Sequence, residues 1–177
     1  MNDQTALPAL PPDDPQRNLT LARPDDDQSL RHVSVVGDTY TILLDGQQTA
    51  GRSCLIDMYI PPGGGPPPHR HDFEEMFTVL EGEIAVTFRG TTVIVRAGET
   101  ANIPANAPHS FTNTTIKPVR LLCVCSPSMQ EAFFLEIGDL VPTRTSPPPN
   151  LDEAAKAERR AKAQALAPKY RTELLKP

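Results

Sequence analysis

The sequence predicts an all-β sandwich or barrel of antiparallel strands, with short helices confined to its C-terminal third. Three observations predict it. Between about residues 30 and 126, short runs rich in β-branched and aromatic residues alternate with turn signals. The turns carry glycine pairs at close spacing: Gly37-Asp38, Asp45-Gly46, Glu81-Gly82, Arg89-Gly90 and Ala97-Gly98. No helical period falls between the runs to supply the crossovers of a parallel sheet.

The runs are RHVSVV (31–36), TYTILL (39–44), SCLIDMYI (53–60), EMFTVL (75–80), EIAVTF (83–88), TTVIV (91–95), HSFTN (109–113) and VRLLCVC (119–125). Eight is a jelly-roll number. Two helices follow. In SPSMQEAFFLEIG, Ser128 stands three before Glu131 as a capping box, and Gly138 is placed to stop the helix. Phe133, Phe134 and Ile137 form an apolar face for the barrel. In NLDEAAKAERRAKAQALAP, Asn150 and Glu153 stand in the same capping relation, and the helix ends before Pro168. That segment is rich in alanine and charge, which suits an exposed or partner-packed helix, and KAERRAKAQ reads as a solvated face.

The 177 residues have room for one domain and its tails. Proline count divides them: 20 prolines are more than double the usual ~5 % share. Residues 1–28 mix proline with aspartate and read as a flexible arm. Residues 29–126 form the barrel, 127–145 a helix packed on it, and 146–177 a Pro-rich linker with the Ala- and charge-rich C-terminal helix. A net charge of -5 gives no footprint for nucleic acid. No apolar run nears the roughly 20 residues that span a bilayer. MNDQTALPALPPDDPQ has neither a basic nor an apolar leader region. Three cysteines without scaffold spacing point to a reducing cytoplasm.

The chemistry gathers in HRHDFEEMF, residues 69–77. On an extended strand, residues two apart face the same way about 7 Å apart, so His69 and His71 can chelate one ion. Four extended residues would carry Glu75 about 13 Å from His71, too far to share it. The chain is therefore expected to reverse at Asp72-Phe73-Glu74, returning Glu75 on the neighbouring strand and leaving Glu74 in the turn. His109 follows a turn built from Pro104, Asn106 and Pro108, which restrict the backbone before it. His32 reads as structural. Cys123 and Cys125 share a strand face and read as packed small hydrophobes. Asp57 and Tyr59 line a pocket or face solvent; Phe73, Phe77 and Phe111 are core or pocket wall. GGGPPP lacks the lysine ending of a phosphate loop and reads as a stiff entry to the histidines.

GGGPPPHRHDFEEMFTVLEG resembles the first cupin motif, with Gly63, His69, His71, Glu75 and Gly82 at its marked positions. GETANIPANAPHSFTN resembles the second, with Gly98, Pro104, His109 and Asn113. Asn106 stands where the pattern has glycine; asparagine tolerates positive φ, so the turn is expected to survive. The motifs cover about 50 residues of the chain, and the tails lie outside the likeness.

The resemblance implies a double-stranded β-helix of jelly-roll type, the cupin barrel. It implies His69, His71, Glu75 and His109 as ligands of one divalent transition metal ion, drawn from Fe, Mn, Ni, Cu and Zn. The whole-chain pattern is similar to quercetinase-like cupins. That implies a dioxygenase with dioxygen and a small-molecule substrate bearing vicinal oxygen donors, Glu75 acting as general base. A binding module, and a redox-free isomerase or decarboxylase, are the alternatives; no helix-turn-helix segment accompanies the barrel to favour a sensor. Pairing of outer sheets, as cupins commonly do, implies a homodimer.

Overall fold

Alternation at period two commits each run to one inward face. In VRLLCVCS, Val119, Leu121, Cys123 and Cys125 are buried and the residues between them are half-exposed. The computed structural model describes residues 9–176. Its strands are β1 (Arg31–Val35), β2 (Asp38–Leu44), β3 (Cys54–Ile60), β4 (His69–His71), β5 (Glu74–Glu81) and β6 (Glu83–Phe88), then β7 (Thr91–Arg96), β8 (Thr100–Ile103), β9 (His109–Thr112) and β10 (Val119–Ser126). Helix α1 (Gln130–Ile137), β11 (Asp139–Val141), helix α2 (Glu153–Leu166), a 3-10 turn (Ala167–Tyr170) and β12 (Thr172–Leu174) follow.

The strands form two antiparallel sheets, ordered β11-β1-β2-β3-β10-β5-β8 and β12-β4-β9-β6-β7. Their inner faces enclose one core, in which Phe73, Phe77, Phe111, Ile56, Met58 and Leu121 are among the most deeply buried side chains. Each contributes roughly 1.5–3 kcal/mol by leaving water. Glycines serve two close passages. A Cβ on Gly65 would lie 2.1 Å from the Phe111 carbonyl oxygen, so the loop before β4 runs directly against β9. Gly82 has φ 81, and a Cβ there would lie 2.8 Å from Val119 Cγ2, which admits only glycine at the β5–β6 turn.

The structure corrects four expectations. The chain does not fold back at Asp72-Phe73-Glu74 onto a neighbouring strand. It crosses from one sheet to the other, because β4 pairs with β9 and β12 whereas β5 pairs with β10 and β8. The Ser128 capping box does not form. The cap of α1 is Met129 without a side-chain bond, and Glu131 instead accepts the Gly46 amide at 2.9 Å, anchoring α1 to the β2–β3 loop. Asp152, not Asn150, caps α2, its carboxylate accepting the Ala155 amide at 2.8 Å. Strand β12 lies within the segment read as linker and helix, and completes the second sheet beside β4. Residues 1–8 of the Pro/Asp-rich arm lie outside the described residues; 9–30 form neither strand nor helix. No helix among the described residues is long and apolar enough to cross a membrane.

Candidate metal centre

The pleat of β4 sends His69 and His71 inward and Arg70 outward. Strand β9 sets His109 directly opposite His69, so the two imidazoles share a face with centroids 4.2 Å apart. His71 lies 5.0 Å from His109 on the same measure. Glu75 comes from the other sheet. It points inward from β5 beside Cys125 of β10, while Glu74 turns outward to the Ala105 amide and Asn102. All four inward side chains are buried, and one candidate ligand atom from each lies within 4.8 Å of every other. Asn106, at φ 67, keeps its turn and donates its amide to the His71 carbonyl at 2.6 Å, joining the two motif segments.

Backbone carbonyls set the tautomers. Nδ1 of His69, His71 and His109 donates to the carbonyls of Pro67, Phe73 and Ala107 at 2.9, 3.0 and 2.9 Å. A carbonyl can only accept, so each Nδ1 carries the proton and each neutral ring keeps a lone pair on Nε2. Yet Nε2 of His71 and of His109 each lies 3.0 Å from Glu75 Oε2. Lone pairs face a carboxylate oxygen at that distance only with a cation or an extra proton between them. Donors bound at ~2.1 Å and at right angles stand about 3 Å apart, so the residues fit a single transition-metal ion.

Burial and the neighbouring His109 push His69 down to about 4, which leaves its ring neutral near pH 7. Burial alone would raise Glu75; with protons on their Nε2 atoms and no ion between them, the His109 and His71 rings outweigh it and hold the carboxyl well below its ordinary range. Glu75 Oε1 has a partner that the sequence reading did not supply. Cys123 Sγ donates to it at 3.2 Å, and Cys125 Sγ lies 3.8 Å away. Burial pushes Cys123 up to about 12 and Cys125 well above its ordinary value, so both are S–H groups rather than thiolates. The signal was present as a same-face pair, but only the pairing of β10 with β5 shows what it faces.

Other singled-out residues separate from the site. His32 bonds Thr41 at 2.8 Å on the first strand pair. Asp57 is buried against Arg120, at 2.7 Å, and with Tyr59 lines a separate pocket that does not include the site's histidines. Phe73 stacks on His71 at 3.9 Å and 2°, holding the ring, while Phe77 and Phe111 meet edge to face at 5.1 Å.

Residues 56–125 match the family described as Cupin domain, and both motif segments fall inside that span. The chain belongs to the cupin superfamily. This cupin is 29 % identical over 117 residues to the HTH-type transcriptional regulator PuuR of Escherichia coli (strain K12), a match covering 66 % of the chain and 60 % of the regulator. It is 28 % identical over 128 residues to quercetin 2,3-dioxygenase of Bacillus subtilis (strain 168), covering 72 % of the chain and 37 % of that enzyme. The cupin thus spans less than two thirds of either relative. Among solved structures, the polyketide cyclase RemF of Streptomyces resistomycificus superposes with a TM-score of 0.55 at 23 % identity, covering 82 % of the chain and 99 % of RemF. At that identity the likeness speaks for the fold.

Proposed function

We propose that this cupin is a metal-dependent dioxygenase for a small organic substrate with vicinal oxygen donors, such as an enol beside a carbonyl. One observation carries the reading: three buried imidazoles, each with Nδ1 held by a backbone carbonyl, gather at one point with a carboxylate from the opposite sheet. His69, His71, Glu75 and His109 would hold a divalent transition metal, and three nitrogens with one oxygen suit the redox-active first-row ions. Such an ion, when bound, supplies positions for the substrate's oxygen pair and for dioxygen, and a route for electrons between them.

The chain's own residues do the rest. The carbonyls of Pro67, Phe73 and Ala107 hold the three rings in register. Glu75, once loosened from its ligand role, takes the proton of the substrate hydroxyl as the enolate forms, and Cys123 donates to its Oε1. Phe77 and Phe111 wall the space beside His69 and exclude water. The likeness to quercetin 2,3-dioxygenase supports oxidative chemistry. An oxygen electrode tests it: protein loaded in turn with Fe, Mn, Ni and Cu is given a panel of enols and enediols. Dioxygen uptake matching substrate loss, and abolished in Glu75→Ala, is expected. No uptake with any of the metals would sink the proposal.

The likeness to a transcriptional regulator favours a second reading, a small-molecule binding module. Tight ligand binding without turnover across the same panel would select it.

A further inference from the structure

Beside His69 and Glu75 lies a cavity of about 70 Å³, lined in part by α1 and by Ala163 of α2. Its walls are almost wholly apolar, with Met58, Phe77, Phe111, Phe133, Phe134 and Ile137 among them. Two of its polar side chains are already committed: the Tyr40 hydroxyl donates to Asp38 Oδ2 at 3.0 Å, and the Thr172 hydroxyl to the Tyr170 carbonyl at 3.1 Å. Gln130 is different. It opens α1, is 3 % exposed, lines the cavity, and its Oε1 is buried with no hydrogen-bond partner among the described residues. A buried acceptor without a donor is costly and rare in a folded chain.

We propose that Gln130 is a substrate-binding residue, and that the substrate is monocyclic or smaller, with a hydroxyl or N–H group apart from its chelating oxygens that donates to Gln130 Oε1. This rests on the reading of the metal centre given above. Size supports it. At ~10–15 Å³ per water-sized position, the cavity has room for about five to seven. That suits a single six-membered ring lying between the phenylalanines. The three rings of a flavonol exceed that volume, so the proposed substrate class departs from that named for the Bacillus relative. Chemistry supports it as well: an apolar chamber with one unmet acceptor favours a ligand that is apolar over most of its surface and carries one donor. A site built to accept such a bond discriminates against the analogue that lacks it.

Calorimetric titration of the zinc-loaded full chain, in which no redox turnover confuses binding, tests the proposal with three probes. They are a hydroxypyranone, the same ring bearing one hydroxymethyl group at each free carbon in turn, and flavonol, which presents the same enol–ketone pair on a three-ring body. The hydroxypyranone is expected to bind. Its best hydroxymethyl derivative should bind about tenfold more tightly, and flavonol at least tenfold more weakly. The hydroxymethyl advantage should vanish in Gln130→Met, which keeps the shape and removes the acceptor, and persist in Gln130→Glu. Flavonol binding as tightly as the single ring, or no hydroxymethyl derivative gaining in the wild type, would overturn the proposal without touching the metal centre. No zinc-dependent binding of any probe would overturn the metal-centre reading, and this inference with it.

Discussion

Glu74 and Glu75 are chain neighbours with opposite surroundings. Glu75 faces the histidines and a thiol; Glu74 reaches outward to Asn102 and the Ala105 amide. Glu75→Ala should therefore lower metal content by at least tenfold, by elemental analysis, while Glu74→Ala leaves it within twofold. Equal losses would contradict the assignment. Asp38 gives a second test at this scale. Burial pushes its carboxyl up to about 7, although Tyr40 and the Gly65 amide both donate to it. The unfolded chain titrates near ~3.9. Between those values the folded state binds the proton more readily, so this group's contribution to stability falls as pH rises from about 4 to about 7 and is level above. Asp38→Asn removes the effect and keeps one acceptor and one donor. Its melting temperature should gain several degrees on the wild type between pH 5 and pH 8; an unchanging gap would refute the argument.

Elements show where the sequence was legible and where it was not. The runs between glycine turns could be read because alternation within a strand is local, and both ends of β6 coincide with the expected 83–88. Strands β8, β11 and β12 were missed because they are short and defined by their neighbours rather than by a pattern of their own. The Ser128–Glu131 box was a valid local signal that a tertiary bond to Gly46 overrode. Similarly, the histidine spacing placed His69 and His71 on one face, but nothing local shows that Glu75 arrives from the opposite wall. Strand β12 carries a testable consequence. It flanks β4 on the side away from β9, pairing Thr172 with His71 and Leu174 with His69, and Arg171 forms an ion pair with Asp72. Deleting residues 171–177 should weaken zinc binding about tenfold by competition with a chromophoric chelator, although every candidate ligand remains. Unchanged affinity would show that β9 alone holds β4.

At the scale of the whole molecule, the candidate centre draws its side chains from both sheets. Three of its donors belong to β4 and β9 and the fourth to β5 of the other sheet. Ligand present at 100 to 1,000 times its dissociation constant stabilises the state that binds it by about 3–4 kcal/mol. For a chain of this length that is roughly 5–15 °C in melting temperature. Stripping the metal with a chelator should lower the transition by that amount, and zinc should restore it; a transition indifferent to metal would mean that the four side chains do not hold an ion together. An ion spanning the sandwich would also be a rivet. Degrading enzymes reach a folded chain through its transient openings, and a riveted pair of sheets opens less often. The supply of metal would then govern how long each copy of this protein survives, as well as whether it works.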